Sequence, residues 1–271
     1  MTDAGKGVKV NPSLPAQPEK KAERELNTEL KGSMSFTQIA AYTTCPLQYK
    51  FAHLLHVPVY GKHVFSYGKS MHASLQRMTE RLHETGSVPT HDQVSELLEE
   101  EWISSWYPTA ELQAEYRQKG LDSLHAVANL WKADRPTIFA VEKGFTLNVA
   151  GVTFKGQIDR IDEHSDHFEI IDYKTGKPKT KLSFNDKRQL LLYAIASEQT
   201  LKLSKPVTKL TFHYLEDNST VTFEPKQKDI DKLLELISGT VERIKAGNFT
   251  PTPGMHCNYC DFKDICEFSA A

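Results

Sequence analysis

The stretch Gly156–Lys177 reads GQIDRIDEHSDHFEIIDYKTGK. Two runs rich in Ile and Phe flank Ser165-Asp166, which predicts two strands joined by a two-residue turn. Side chains alternate faces along a strand, so Asp172 and Lys174 point the same way. With that turn, Asp159 stands across from Asp172, Ile161 across from Ile170, and Gln157 across from Lys174. Opposed Cβ atoms lie about 5 Å apart, and like charges at that distance are destabilising. Two carboxylates so close need a proton, a cation or a bound metal. A hard ion such as Mg²⁺ fits, since it binds through one or two carboxylates and shares substrate phosphates. Lys174 then stands where it positions a water or neutralises charge that develops during reaction. The motif also has a bland reading, a solvated Asp–Lys pair at a strand end, and a one-residue slip would turn one carboxylate away.

Outward from this hairpin, the chain divides by pattern. Residues 1–33 are rich in Pro, Lys and Glu without apolar periodicity, and are expected to be a disordered tail. A helical region is expected over 34–135. Ser35 and Gln38 have capping-box spacing, Pro46 suits the first position of a helix, and His72, Leu75 and Leu82 fall on one face of another. Further helices are expected near 91–106 and 110–133. A sheet core is expected over 136–225, with strands at 137–147, 152–161 and 167–173, a helix at 186–197 and a strand pair at 210–214 and 219–223. A helix near 229–246 and a Cys-rich end complete 226–271. The order predicts an α/β fold.

The 271 residues are 39% hydrophobic with a net charge of −2. That excludes a broad basic field, so nucleic acid would have to meet a local patch. Lys174, Lys177, Lys179, Lys181, Lys187 and Arg188 form one run beside the hairpin, open to a phosphate-contact or a solvated-loop reading. Phe184 and Tyr173 are open to base stacking or to the core. No apolar run long enough to span a bilayer and no signal peptide is visible, so a cytoplasmic chain without membrane contact is expected.

The four cysteines are Cys45, Cys257, Cys260 and Cys266. In a cytosolic chain, clustered thiols point to metal. Spacing alone favours Zn²⁺, with His56 and His256 as further candidate ligands, while an iron–sulfur cluster stays open.

The ordered set Gly156-Gln157-Ile158-Asp159-Arg160, Asp172-Tyr173-Lys174-Thr175-Gly176 and Gln189 with Tyr193 resembles the PD-(D/E)XK nuclease superfamily, and more closely its RecB-type members. His72 and the opening SFTQIAAYTTCPLQY of residues 35–49 are similar to that family as well. The resemblance implies a restriction-endonuclease-like central mixed sheet flanked by helices. It implies Mg²⁺ or Mn²⁺ held by Asp159, Asp172 and His72, with Glu142 a further acidic candidate. Lys174 would serve the attacking water, and Gln189 and Tyr193 would contact substrate. Arg160 is open to a phosphate contact or to an ion pair with Asp162 or Glu163, and Tyr193 to a core role.

The one-plus-three cysteine arrangement is similar to that of AddB and of CRISPR spacer-acquisition nucleases. It implies a structural [4Fe-4S] cluster on Cys45, Cys257, Cys260 and Cys266, shielded by Tyr259, Phe262 and Phe268. The function implied is a metal-dependent deoxyribonuclease, a single-strand exonuclease of repair or recombination. Two rivals are a CRISPR spacer-acquisition nuclease acting beside an integrase and a non-catalytic DNA-binding subunit of a helicase–nuclease complex. The chain has no G-x-x-x-x-G-K-[ST] phosphate loop, so any helicase would be a separate subunit.

Overall fold

The computed structural model describes residues 32–270. Its elements run β1 (Ser33–Met34), α1 (Phe36–Thr44), α2 (Pro46–Tyr49, continued by a π-helical turn to Leu54), α3 (His63–Thr85), α4 (His91–Glu100) and α5 (Ala110–Ala133). The sheet strands β2 (Ile138–Val149), β3 (Val152–Glu163) and β4 (Phe168–Lys174) follow. Next come α6 (Phe184–Ala196), β5 (Val207–Tyr214), β6 (Ser219–Phe223) and α7 (Gln227–Lys245). The fold is the expected α/β: a central mixed sheet flanked by helices. Strand β1 starts at Ser33, inside the span expected for a tail, and residues 1–31 of that span lie outside the described residues.

Strand β3 organises the sheet. One edge pairs antiparallel with β2. The other edge is shared, with β1 parallel at Thr153 and Phe154 and β4 antiparallel from Arg160 to Glu163. The turn lies at Ser165-Asp166, where His164 N–H donates to His167 O at 2.9 Å. Ile161 pairs with Ile170, the register expected. Beyond α6, β5 returns parallel to β4, and β6 forms the antiparallel edge.

Ile170 and Ile171 are both buried, on opposite faces of β4. A strand covered on both sides reads as a continuous apolar run. One face carries α1, α6 and α7 through Ile39, Leu190 and Ile237. The other carries α3, α4 and α5 through Leu75, Leu98 and Leu124. Burying each such side chain stabilises the fold by about 1.5–3 kcal/mol.

Two boundaries differ from expectation, and both affect the site. Helix α3 begins at His63 rather than near Tyr67, and α4 stops at Glu100 rather than near residue 106. The chain after α4 is captured by α3 instead. The Ser70 hydroxyl accepts from Ile103 N–H at 2.8 Å, and the Ser66 hydroxyl donates to Ser105 O at 2.7 Å. The capping box expected at Ser35 does not form; Ser35 caps α1 without a side-chain bond and meets the Thr37 hydroxyl instead. Among the described residues, no helix is long and apolar enough to cross a membrane.

Candidate active site

The site sits where the ladder between β3 and β4 ends. Arg160 and Ile171 are its last pair, while β4 stays paired to β5 through Lys174. Asp159 and Asp172 therefore stand just past the last rung, and the expected pairings of Asp159 with Asp172 and of Gln157 with Lys174 are not part of the ladder. Beyond the ladder Tyr173 N–H donates to the Asp159 Oδ2 atom instead, at 2.9 Å.

A second irregularity aims the side chains. Phe145 and Leu147 alternate into the α6 layer, and continued alternation would send Val141 there too. Val141 packs instead against the α3 layer. Across the ladder, Ile158 lies in the α6 layer and Ile161 does too, three residues on. The strands switch faces at Glu142 and Asp159, and Glu142 has φ 46°. That left-handed backbone is costly for a side chain with a Cβ and is worth tracing to function.

The kink brings Glu142 beside Asp159, and α3 brings His72. One ligand atom from each lies within 4.8 Å of the others. His72 Nδ1 is 3.5 Å from Asp159 Oδ2. Glu142, carried at the sequence level only as a further acidic candidate, thus joins the cluster. Burial, then Asp159, pushes its carboxyl up to about 7. Burial, then Asp172, pushes the Asp159 carboxyl up to about 6. Each group resists its own charge, which a divalent cation would relieve.

Asp172 is buried and lies beside this group. Its Oδ2 is 2.5 Å from Lys174 Nζ but accepts no hydrogen bond of normal geometry. Lys174 Nζ donates to Gln189 Oε1 at 2.9 Å, and Gln189 Nε2 donates to the Tyr193 hydroxyl at 2.7 Å. Gln189 and Tyr193 lie one turn apart on α6, so helix geometry supplies the relay. The capping box of Ser183 with Asp186 fixes where that helix starts. Burial, then Asp172, holds the Tyr193 phenol well above its usual range. Tyr193 is buried and reaches the site through Gln189, so the chain Tyr193–Gln189–Lys174 orients the ammonium rather than lining an open surface.

The donor set suits Mg²⁺ or Mn²⁺: carboxylate oxygens with one imidazole, plus the buried Oδ2 of Asp172 that also faces Lys174. His72, Glu142 and Asp159 group most tightly, with Asp172 shared between them and Lys174.

Three readings that the sequence leaves open are narrowed. Arg160 is buried and makes a two-pronged pair with Asp162, at 2.8 and 2.6 Å, and donates to the Tyr173 hydroxyl at 2.8 Å. It has no reach left for phosphate, so the ion-pair alternative holds. Tyr173 is itself buried, and Phe184 packs into the core under Lys232, so neither offers a face to a base. The Lys run is largely committed: Lys179 pairs with Asp186, Lys187 lies over Phe223, and Arg188 turns in to the Thr43 hydroxyl.

At the other end, Cys45, Cys257, Cys260 and Cys266 line one cavity with Phe51, Phe262 and Phe268. Burial, then the neighbouring Cys45 thiol, pushes Cys260 up. Tyr259 is exposed and stands outside this cavity; Phe51 takes the shielding place expected of it. His256 also lines the cavity, with Nε2 buried and unpaired.

Comparison with known proteins adds three findings. A model of the PD-(D/E)XK nuclease superfamily matches residues 33–267. The Gene 69 protein of Mycobacterium phage L5 is 27% identical over 132 residues, a match covering 47% of this chain and 44% of that protein. The chain therefore spans less than half the length of that curated relative. A crystal structure of a candidate exonuclease from Eubacterium rectale shares the fold, with TM-score 0.50 at 13% identity over 95% of this chain and 97% of that one.

Proposed function

The chain belongs to the PD-(D/E)XK nuclease superfamily, and from that premise we propose that it is a Mg²⁺- or Mn²⁺-dependent deoxyribonuclease of RecB type, acting on single-stranded ends. The observation that carries the reading is the meeting of His72, Glu142 and Asp159 beside the pair Asp172–Lys174. His72, Glu142 and Asp159, with Asp172, hold the divalent ion. The ion supplies Lewis-acid polarisation of the phosphodiester and eases loss of a proton from water.

The chain's own residues do the rest. Asp172 and Gln189 fix the Lys174 ammonium from two sides. Lys174 donates to the water that attacks phosphorus, or to the phosphoryl oxygen as negative charge grows there. Tyr193 holds the Gln189 amide in the rotamer that presents Oε1 to Lys174, so both are positioning residues. Thr175 follows Lys174 and lines the cleft beside His72.

The four cysteines bind a [4Fe-4S] cluster with a structural role. Supporting this is their shared cavity with its Phe and Pro lining. The set joins residues far apart in sequence, as a metal that couples to folding does. The proposed organisation keeps a tail at the N-terminus, then one nuclease domain in a cytoplasmic protein, working with a separate helicase or an integrase. The rival readings, spacer acquisition and a non-catalytic subunit, share the fold. The complete set Asp159, Asp172 and Lys174 speaks against the second.

The test is an anaerobic preparation incubated with end-labelled single-stranded DNA, with and without Mn²⁺, beside Lys174→Ala. Cutting that needs both Mn²⁺ and Lys174 supports the reading, and the fragment ladder gives polarity. Binding without cutting would move the chain to the non-catalytic class.

A further inference from the structure

A cleft of about 560 Å³ opens beside the acidic cluster. His72 and Thr175 form one wall, so it is continuous with the candidate active site. The rest of its lining is largely aromatic and open to solvent: Tyr60 is 96% exposed, Trp106 53% and Phe65 48%, the last of these two turns before His72 on α3. Single exposed apolar residues are ordinary, but three clustered in one cleft mark a binding surface.

Two features show that Trp106 is held there. It has φ 68°, a left-handed backbone that a bulky residue adopts at a cost. Its indole lies flat on the backbone of Gly61, where even a methyl group would overlap the ring. The loop behind it is pinned to α3 by Ser66 and Ser70, both fully buried. The ring is fixed in the open while the chain behind it is tied down, the reverse of what core packing favours.

We propose that Tyr60, Phe65 and Trp106 form a stacking platform for the unpaired bases of a single strand, which delivers its phosphodiester to the His72–Asp159 edge. The proposal rests on the nuclease reading above and deepens it by naming the residues that hold the strand. The charge agrees, since the Lys69 ammonium lines the same cleft and among the described residues no ion pair engages it. The occupant follows from chemistry. Aromatic faces take any base, because every base has a π-face, and an ammonium takes the phosphates between them. Bases inside a duplex are already stacked on each other and present no free face. A protein partner would not need its apolar contact to run into a carboxylate–histidine cluster.

The test uses full-length protein in EDTA, which allows binding without cutting. Fluorescence titration compares an oligothymidylate with an abasic strand of the same length. Wild type should prefer the base-bearing strand by about tenfold for each stacked base. Trp106→Ala and Tyr60→Ala should each collapse that preference, and Trp106→Phe should restore most of it. The oligothymidylate should also quench indole emission in wild type but not in Trp106→Phe, because Trp131 is buried and Trp102 half-buried. Equal affinity for both strands, or a preference unchanged in both alanine variants, overturns the platform and leaves the cleft to an apolar protein partner. If Trp106→Ala fails to fold, Tyr60→Ala, at an almost fully exposed position, carries the test alone. A parallel Mn²⁺ incubation separates the two proposals. Cutting without base preference refutes the platform only, and base preference without cutting refutes the nuclease only.

Discussion

Replacing Asp159 by Asn should make the metal-free protein more stable at pH 8, even though it removes a proposed metal ligand. Folding raises the Asp159 carboxyl from 3.8 to about 6, first by burial and then by Asp172. A raised acid keeps its proton longer in the native state than in the unfolded chain. Below about pH 4 both states are protonated, and the group costs nothing. Between about pH 4 and 6 the unfolded chain loses its proton first, so stability falls as pH rises. Above pH 6 the whole cost is present. At about 1.4 kcal/mol per pKa unit, the displacement corresponds to about 3 kcal/mol. Relaxation around a buried group lowers that, so the expected gain is about 1–3 kcal/mol, or roughly 2–12 °C in melting temperature for a domain of this size. The Tyr173 N–H need not be orphaned, because the Asn carbonyl can accept its bond. The assay is thermal melting in EDTA at pH 4.5 and pH 8, repeated with Mn²⁺. Wild type should gain with Mn²⁺ at pH 8 and little at pH 4.5, where protons occupy the Glu142 and Asp159 carboxyls. Asp159→Asn should not respond to Mn²⁺. A variant no more stable than wild type in EDTA at pH 8 would sink the claim that this carboxylate is held against its own charge.

Lys174→Ala should lower cleavage by at least about 10²–10³-fold, read in single turnovers with Mn²⁺ saturating. Asp162→Ala should cost about 3–5 kcal/mol by urea denaturation, because it strands the buried Arg160 guanidinium. Gly156→Ala should cost about 1–3 kcal/mol, since a Cβ there presses on the Phe145 ring, its cross-strand partner; Phe145→Leu should return part of that loss. Cys260→Ala should abolish absorbance near roughly 400 nm and reduce soluble yield. A soluble, colourless, active Cys260→Ala protein would defeat the structural-cluster reading.

The strand register was legible because the two-residue turn at Ser165-Asp166 fixes which residues face each other, as Ile161 and Ile170 do. Lys174, Gln189 and Tyr193 were grouped through their resemblance to the family's ordered motif, and one helical turn between Gln189 and Tyr193 puts those two on one face. The role of Glu142 was not legible. It depends on a left-handed backbone at a residue type that seldom adopts one, and no local pattern announces it. The same face switch decides Arg160. Regular alternation puts it on the face of Ile158, yet it lies under Trp131 with Asp162. The aromatic cleft was hidden for another reason. Glu101 to Tyr107 continues a helical pattern well enough, and what ends α4 is tertiary. Ser66 and Ser70, one turn apart on α3, take hydrogen bonds to the backbone that another turn of helix would have used.

The two proposed metal sites differ in what holds them without metal. Asp159 lies between ladder pairs of β2 with β3, and Asp172 to Lys174 stay paired with Phe212 to Tyr214. Backbone bonds therefore fix the carboxylates where they repel, and the pocket for the divalent ion exists before the ion arrives. Chelation there should change charge and melting temperature but leave the fold intact. The cysteine site has no such frame. Cys45 sits between α1 and α2, and the other three thiols lie in short turns after Pro253. The two ends meet through side chains rather than a ladder: the Thr252 hydroxyl to Thr44 O, the Tyr42 hydroxyl to Asn248 O, and the Phe249 and Phe262 rings against Tyr49 and Phe51. Four thiols gathered at such a seam repel once ionised, so the proposed cluster does there what the ladders do at the active site. Its loss should free the C-terminal segment, and with it the Lys62–Asp261 pair at the foot of α3. That pair stands next to Tyr60 and Gly61, so the cleft wall should loosen when the cluster goes. The order of failure follows: losing the divalent ion stops chemistry, while losing the cluster weakens strand binding first.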